Sequence, residues 1–233
     1  MSTSGENPGM AIDINTILAS SVHDIKNSLG MLIGTLDDLV HSKHFESSED
    51  KHQLLVLQSE ASRINSSLIH LLGLYRLQQD KLPLQIKEVF VNDLLEEVVA
   101  ANENLFKLQA ITVTTDCEED LGWYFDSQLI SSIINNILIN ALKYTKKTIA
   151  IKAWIENSRL TIQIDDDGNG YPESILHNQN AATHAINFAT GSTNLGLFFA
   201  AHIANAHTRN GQNGYIALSN REAGGGRFTL SLP

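Results

Sequence analysis

The chain's clearest candidate for chemistry is a histidine near its N-terminus. His23 is followed directly by Asp24, and Asn27 lies four residues after His23, which is one turn farther along a helix. A neutral imidazole nitrogen can attack phosphorus, and a neighbouring carboxylate can orient the ring and keep the attacking nitrogen free of its proton. The Asn27 amide can hold a water molecule or a phosphoryl oxygen. Because the chain has nine histidines, the prediction depends on this local string and not on the histidine alone.

A group of amide and lysine side chains farther along the chain suits a magnesium-bound polyphosphate. Asn136 and Asn140 are four residues apart and Lys143 lies about one turn beyond, so the three share a face of a predicted helix. Mg²⁺ prefers hard oxygen ligands and keeps several of its waters, and a lysine adds a positive charge for the phosphates. This string predicts one wall of a nucleotide site.

Two glycine-containing strings complete the candidate nucleotide site. Asp167 follows a predicted strand and can accept a hydrogen bond from an adenine amine, while Gly168 and Gly170 allow close approach of the backbone. Leu195 and Gly196 lie where a predicted helix begins, and the free N–H groups of a helix N-terminus favour phosphate. Each string is weak evidence alone, but the three in this order are specific.

Heptad-spaced apolar residues predict that residues 11–80 form a helical hairpin, after a disordered N-terminus of residues 1–10. The first helix has the rows Leu18, Ile25, Leu32, Leu39 and Val22, Leu29, Leu36; the second has Leu54, Ala61, Leu68, Tyr75 and Leu57, Ile64, Leu71. One pair of helices this long cannot enclose such a seam, whereas two hairpins can form a four-helix bundle. We therefore expect a homodimer; the alternative is that the apolar stripe packs on the rest of the same chain.

Pro83 marks a predicted linker, residues 81–90, and residues 91–233 are predicted to form a second domain. Three helices are expected. The first is capped by Asn92 and runs to about Gln109, the second is capped by Asp126 and runs to Lys143, and the third runs from Leu195 to about Ala206. Strands are expected over residues 111–115, 148–156, 159–165, 215–220 and 227–232. Helices with a mixed sheet indicate an α/β two-layer sandwich.

Composition narrows the classes of function. The net charge is −10 at pH 7 and the pI is about 5.3, which argues against nucleic-acid binding. A single cysteine excludes a disulfide within the chain and zinc sites built on several thiolates. No apolar run is long enough to span a membrane, and the N-terminus lacks the features of a signal peptide, so we expect a cytoplasmic protein.

The string from His23 to Leu29 resembles the H-box in the dimerisation domains of bacterial two-component histidine kinases. The resemblance implies that His23 is phosphorylated, that Asp24 acts as a general base, and that Asn27 supports dephosphorylation of a partner. Many members of that family have proline where this chain has Ser28. Proline kinks a helix, so this departure implies a straighter helix and leaves the phosphoryl chemistry in place.

The strings of the second half resemble the N, G1 and G2 boxes of the histidine-kinase and gyrase-like ATPase superfamily, whose ATP-binding fold is of the Bergerat type. The resemblance implies that Asn140 coordinates Mg²⁺ with Asn136 nearby, and that Lys143 contacts phosphate. It also implies that Tyr144 flanks the adenine and Asp167 binds its amino group. The other residues of the implied nucleotide site are Gly168, Gly170, Leu195 and Gly196.

Two departures from the family pattern concern the segment between the G1 and G2 strings. Asn194 stands where the family usually has glycine, and residues 171–190 contain no arginine or lysine. Catalysis of phosphoryl transfer depends strongly on neutralising the charge that develops on the phosphoryl group. A lid without a cation therefore predicts either slow kinase chemistry or nucleotide binding without it.

The leading hypothesis is a cytoplasmic histidine kinase that uses ATP and Mg²⁺ to phosphorylate His23. It would pass the phosphoryl group to an aspartate of a response-regulator receiver domain, also act as that partner's phosphatase, and work as a homodimer with a separate sensory protein. One alternative is a histidine phosphotransfer or binding protein with a degenerate ATPase-like domain. Another is a gyrase-like ATPase or a protein-serine kinase that acts on a sigma-factor regulator, which leaves His23 and the hairpin unexplained.

Overall fold

The computed structural model describes residues 27–36, 84–176 and 193–233 as continuous segments, and Ile25, Leu39, Leu54, Leu57, Ala61 and Ile64 singly. The side chains of residues 193–195 lie outside this description. The chain divides into two compact units, Met1–Leu72 and Gly73–Pro233. No described helix is both long and apolar enough to cross a membrane.

The described residues of the first unit are helical. Residues 27–36 form a continuous helical segment, and the six singly described residues also have helical backbone. Four side chains of the predicted heptad rows are between 45% and 57% exposed in the single chain, namely Ile25, Leu32, Leu57 and Ile64. The hairpin and its four-helix bundle stay predictions, because residues 1–24, 37–38, 40–53 and most of 55–83 lie outside the described part.

The second unit contains a five-stranded mixed sheet in the order β2-β4-β5-β9-β8. Its strands are β2 (Thr112–Asp116), β4 (Thr148–Glu156), β5 (Arg159–Asp166), β8 (Tyr215–Asn220) and β9 (Gly226–Leu232). β2 runs parallel to β4, and every other neighbouring pair is antiparallel. The strands between residues 148 and 232 follow the predicted ranges to within one residue, which confirms the mixed sheet.

Helices cover one face of this sheet. They are α1 (Val91–Ala101), α2 (Glu103–Leu108), α3 (Ser127–Leu142), α4 (Glu173–Leu176) and α5 (Thr193–Ala206). Alternate residues of β5, such as Ile162 and Ile164, are buried in one core with Phe228 of β9 and with the apolar faces of α3 and α5. The second unit is therefore the two-layer α/β sandwich that the sequence predicts.

Two further pairs of strands were not predicted. β1 (Lys87–Phe90) pairs with β3 (Gly122–Phe125), and β6 (Thr208–Arg209) pairs with β7 (Gln212–Asn213). β1 lies inside residues 81–90, the segment predicted as a linker. The described end of that segment is thus built into the second unit.

The first helical region of this unit differs from the prediction in two respects. Asn92 does not cap the helix: α1 begins at Val91 after Phe90, and the Asn92 side chain donates to Glu96, one turn farther along the helix. The single helix expected to run to Gln109 is interrupted at Asn102. The Asn102 side chain donates to the Val98 carbonyl and to Asn135 of α3, which stabilises the break between α1 and α2.

α3 has the predicted start. Asp126 precedes it with extended backbone, and its carboxylate accepts a hydrogen bond from the Leu129 N–H at 3.1 Å. This is an N-cap, which satisfies a donor that has no partner within the helix. The second Asp126 oxygen accepts from the Gln85 N–H at 2.9 Å, so the same carboxylate also fixes the residues that enter the unit.

Candidate functional site

Helix α3 carries the predicted amide and lysine side chains next to a face that is buried in the core. Ile133, Ile137 and Ala141 are buried on the core side, whereas Asn136 and Asn140 are only partly buried. Lys143 follows the last helical residue and is exposed, and Tyr144 after it is 54% exposed. The helix therefore presents Asn136, Asn140 and the Lys143–Tyr144 end along one edge of the core.

Asn136 and Gly196 bring α3 and α5 into close contact. A Cβ atom added at Gly196 would overlap the Asn136 side-chain amide. The Asn136 Nδ2 atom is buried and has no hydrogen-bond partner among the described residues. A buried amide donor without a partner is costly, and such groups in native proteins usually await a ligand or water. The start of α5 and the middle of α3 thus form a cradle with an unused donor.

The glycine-rich loop after β5 packs against the other end of α3. A Cβ atom at Gly168 would overlap the Tyr144 carbonyl oxygen, so only glycine allows this approach. Gly170 has φ of +79° and lies against the side chain of Asn220. Gly168 therefore brings the loop backbone next to Tyr144, and Gly170 brings it next to Asn220.

Asp167 is engaged by the protein's own backbone. Its Oδ1 accepts hydrogen bonds from the N–H groups of Lys146 at 2.8 Å and Lys147 at 3.0 Å, and its Oδ2 accepts from Lys147 at 3.1 Å. Burial opposes ionisation, but donors on Lys147, Lys146 and Thr148 outweigh it and lower the pKa of Asp167. Both oxygens hold the segment after α3, which argues against the sequence prediction that Asp167 binds an adenine amine.

Asp166 is the functional candidate that the sequence analysis missed. Its Oδ1 accepts from the Gly168 N–H at 2.7 Å and from the Gly226 N–H at 3.1 Å, while its Oδ2 accepts no hydrogen bond from the described residues. Residues two apart on a strand share a face, so Asp166 points to the same side as the buried Ile164. Two sequence signals could have found it. Asp166 begins the Asp-x-Gly-x-Gly spacing, and it continues the helix-facing alternation of β5.

The surroundings of Asp166 are weakly solvated. The Tyr171 ring lies beside Gly226 and packs against the core. Burial, together with the negative charges of Asp166 and Asp165, raises the pKa of the Tyr171 hydroxyl, so that the phenol stays neutral. Asp166 thus has one oxygen fixed by two N–H groups and a second oxygen left to accept from a ligand.

Several predicted site residues cannot be placed in this way. His23 and Asp24 lie outside the described residues, and of Leu195 only the helical backbone is described. Asn27 is described as an exposed helical residue of the first unit. The structure therefore brings together the predicted residues of α3, the glycine-rich loop and Gly196, and leaves the histidine string as a prediction.

The arrangement fits a nucleotide with its metal ion. An unused buried donor at Asn136 can bind a phosphate oxygen, and the cradle at Gly196 allows close approach of the α5 backbone. The side-chain oxygen of Asn140 is a ligand type that Mg²⁺ accepts. The described part of the chain contains no cluster of three or more His, Cys, Asp or Glu that could hold a metal alone.

Comparisons with known proteins find ATPases and histidine kinases among the similar ones. A family model for the histidine kinase-, DNA gyrase B- and HSP90-like ATPases matches residues 125–233. The sensor histidine kinase YvrG of Bacillus subtilis is 27% identical over 88% of this chain and 36% of that protein. The sensor-like histidine kinase SenX3 of Mycobacterium tuberculosis is 25% identical over 93% of this chain and 53% of that protein. The chain thus spans about a third to a half of these two relatives.

A solved structure shows the same fold. Full-length ShkA in complex with AMPPNP matches 94% of this chain and 46% of that chain, with a TM-score of 0.64 and 18% identity. Residues 125–233 thus match the family of histidine kinase-, DNA gyrase B- and HSP90-like ATPases, and the chain is similar to histidine kinases over most of its length.

Proposed function

We propose that the chain acts as a protein-histidine kinase that transfers the γ-phosphoryl group of ATP to His23. The observation that carries the proposal is the buried Asn136 donor beside Gly196, which has no partner among the described residues and which a polyphosphate would satisfy. The similarity to histidine kinases along nearly the whole chain supports the same reaction. The fold similarity to ShkA, which was solved with AMPPNP, supports an ATP-like ligand.

Asp166 takes the adenine in this proposal, in place of Asp167. Its Oδ2 accepts from the adenine amine, while its Oδ1 stays on the Gly168 and Gly226 N–H groups. Tyr144, exposed beside Gly168, flanks the base. A carboxylate that is fixed before the ligand arrives loses little freedom on binding, which favours affinity.

The phosphates lie between α3 and the start of α5. The Asn136 amide and Lys143 donate to phosphate oxygens, and Asn140 supplies an oxygen ligand to Mg²⁺. When bound, Mg²⁺ neutralises phosphate charge and orients the γ-phosphoryl group. The N–H groups at the start of α5, near Leu195 and Gly196, approach the same phosphates.

The acceptor chemistry belongs to the first unit. A ring nitrogen of His23 forms a bond to the γ-phosphorus, and the bond from that phosphorus to the β–γ bridging oxygen breaks, so that ADP leaves. Asp24 holds the imidazole and keeps the attacking nitrogen free of its proton. In a separate reaction, Asn27 positions a water that hydrolyses the phosphoryl group on the partner. The partner is the aspartate-bearing receiver domain of a response regulator.

A homodimer is part of the proposal. Ile25, Leu32, Leu57 and Ile64 belong to the predicted heptad rows and are about half exposed in the single chain. A second hairpin would cover them in a four-helix bundle. The input signal would arrive through a separate sensory protein.

Incubation with ATP labelled at its γ-phosphorus, in the presence of Mg²⁺, tests the proposal. We expect protein-bound label that is lost in acid and kept in base, absent from His23→Ala and retained by the control His44→Ala. A chain that takes no label from ATP but accepts it from a phosphorylated receiver would instead be a phosphotransfer protein with a degenerate ATPase domain. Label that survives acid would indicate serine chemistry and refute the proposal.

A further inference from the structure

The β8–β9 turn, residues 220–226, is tied to the glycine-rich loop by side chains that the proposed reaction does not use. Asn220 accepts from the Tyr171 N–H at 2.7 Å and donates to the Tyr171 carbonyl at 3.0 Å. Arg221 donates from Nη1 to the Asp166 carbonyl oxygen at 2.9 Å. The Gly226 N–H donates to the Asp166 carboxylate. The turn therefore holds Asp166 by both its main chain and its side chain.

Arg221 also reaches the opposite face of β5. Its Nε lies 3.5 Å from Oδ2 of Asp165, a carboxylate that is only 8% exposed. Asp165 is held further by Arg227, which donates from Nε to Oδ1 and from Nη2 to Oδ2, both at 2.8 Å. Consecutive strand residues point their side chains to opposite faces of the sheet. The Arg221 guanidinium therefore contacts the side chain of Asp165 on the outer face and the main chain of Asp166, whose side chain points to the inner, helix-covered face.

This contact lies where the pairing of β5 with β9 ends, while β4 still pairs with Asp166 through Ile149. The β5–β9 register ends with Asp165 opposite Arg227, and Asp166 lies one residue beyond it. Arg221 donates to the Asp166 carbonyl at this position. Its own turn is closed by two backbone hydrogen bonds, from the Arg221 N–H to Gly225 and from the Gly224 N–H to Arg221. The Arg221 side chain therefore projects from a turn whose backbone is fixed by hydrogen bonds.

The direction of the Asp166 carboxylate depends on this support, because hydrogen bonds weaken steeply with misalignment. We infer that Arg221 is a positioning residue that aims Asp166 at the base and thereby sets the preference of the site for adenine over a base without a 6-amino group. The inference rests on the proposed nucleotide site. Arg221 itself touches no ligand in this arrangement and acts through Asp166.

A purely structural role for Arg221 gives a different expectation. Loss of a clamp that only stabilises the turn would lower the melting temperature and weaken every nucleotide by the same factor. Loss of a positioning contact lowers the affinity for ADP far more than that for inosine diphosphate, which carries a carbonyl where ADP has its amine. The two roles are therefore separated by one ratio, the dissociation constant for inosine diphosphate divided by that for ADP. A structural role leaves this ratio unchanged, and a positioning role lowers it.

The test measures both dissociation constants by calorimetry with Mg²⁺ on the full chain, together with the melting temperature. For Arg221→Ala we expect the dissociation constant for ADP to rise by roughly tenfold, the effect of weakening one charge-assisted hydrogen bond. For inosine diphosphate we expect a change of less than about twofold. Arg221→Lys should lose most of the ADP preference too, because a lysine cannot bridge two acceptors in the fixed fork of a guanidinium.

Arg159→Ala is the matched control. Arg159 begins the same strand and donates to Ser231, Gln212 and the Asn213 carbonyl, so its removal costs a comparable set of contacts at the far end of β5. We expect Arg159→Ala to keep the wild-type ratio.

The outcomes separate this inference from the proposed function. The inference is overturned if folded Arg221→Ala keeps the wild-type ratio. It is also overturned if Arg159→Ala lowers the ratio as much as Arg221→Ala does. Where Arg221→Ala fails to fold, Arg221→Lys decides: a lowered ratio supports the inference and the wild-type ratio overturns it. A wild-type chain that binds ADP no better than inosine diphosphate overturns the adenine assignment to Asp166, and the inference with it.

Discussion

Replacement of Asp166 and Asp167 by asparagine, one at a time, separates two adjacent carboxylates with different tasks. In Asp166→Asn the amide oxygen will occupy the Oδ1 position, because two N–H groups, from Gly168 and Gly226, point at it. The amide nitrogen then takes the Oδ2 position. A donor will face the adenine amine, itself a donor, where the wild-type chain offers a charged acceptor.

The magnitude follows from these contacts. A hydrogen bond to a charged group contributes about 1.5–3 kcal/mol, so Asp166→Asn should raise the dissociation constant for ADP by about 10-fold to 150-fold. The two backbone bonds to Oδ1 survive, so the free energy of unfolding should change by less than about 1 kcal/mol. In Asp167→Asn, Oδ1 still accepts from Lys146 and Lys147, while the 3.1 Å bond from Lys147 to Oδ2 is lost. Its ADP affinity should stay within about twofold of wild type.

Calorimetric titration with ADP and Mg²⁺, paired with urea unfolding of each variant, checks both values. Each variant serves as the control for the other, since both remove one negative charge from the same loop. Loss of ADP binding in Asp167→Asn with retention in Asp166→Asn would refute the reasoning, because the backbone bonds to Asp167 would then not prevent it from binding the base.

Three further expectations concern the helices around the site. Gly196→Ala should abolish measurable ADP binding and cost about 1–3 kcal/mol in the free energy of unfolding, because the new Cβ overlaps the Asn136 amide; wild-type affinity would contradict the close approach. Asp126→Ala should cost about 1–2 kcal/mol in urea unfolding, since the cap bond to the Leu129 N–H is lost, and a smaller cost would mean that water replaces the cap. Burial lowers the pKa of His207 below its ordinary 6.5, so stability should be complete above pH 6.5 and fall by about 1.4 kcal/mol per pH unit below it, until the folded-state pKa is reached; His207→Gln should remove this dependence in urea titrations at several pH values.

The elements that could be predicted are those whose signals are local. β4 and β5 alternate over eight or nine residues and are joined by Asn157 and Ser158, both with positive φ as a tight hairpin turn requires. α3 combines a capping aspartate with an uninterrupted apolar face. Alternation, capping and turn chemistry all operate between near neighbours, so the sequence alone carries them.

The elements that could not be predicted depend on distant partners. β1 is a strand because Lys87–Phe90 pairs with Gly122–Phe125, more than thirty residues away. No short turn joins the two strands, so the sequence carries no hairpin signal for them. The break at Asn102 is stabilised by a hydrogen bond to Asn135 of α3. Residues 92–109 do not include Asn135, so their own sequence predicts one continuous helix.

The site divides in the same way into residues that local signals predict and residues whose roles depend on distant partners. The i,i+4 spacing of Asn136 and Asn140 places them on one helical face whatever surrounds the helix. The choice between Asp166 and Asp167 depends on where the chain leaves the sheet and on which N–H groups then point at each carboxylate. The Asp-x-Gly-x-Gly spacing and the alternation of β5 both favoured Asp166 in advance, but a run of three aspartates conceals them.

Three adjacent carboxylates would repel one another, and the fold compensates each one with different donors. Asp165, on the outer face, has the guanidinium of Arg227; Asp166, on the inner face, has two N–H groups at one oxygen; Asp167, beyond the strand, has the backbone of the segment after α3. Two of the three are thereby committed to holding the loop, and the middle one is left with a single oxygen of fixed direction. Such a carboxylate can select a base by geometry. In the proposed function it therefore serves recognition of the nucleotide, and the transfer step rests on groups elsewhere in the chain, of which His23 is the proposed acceptor.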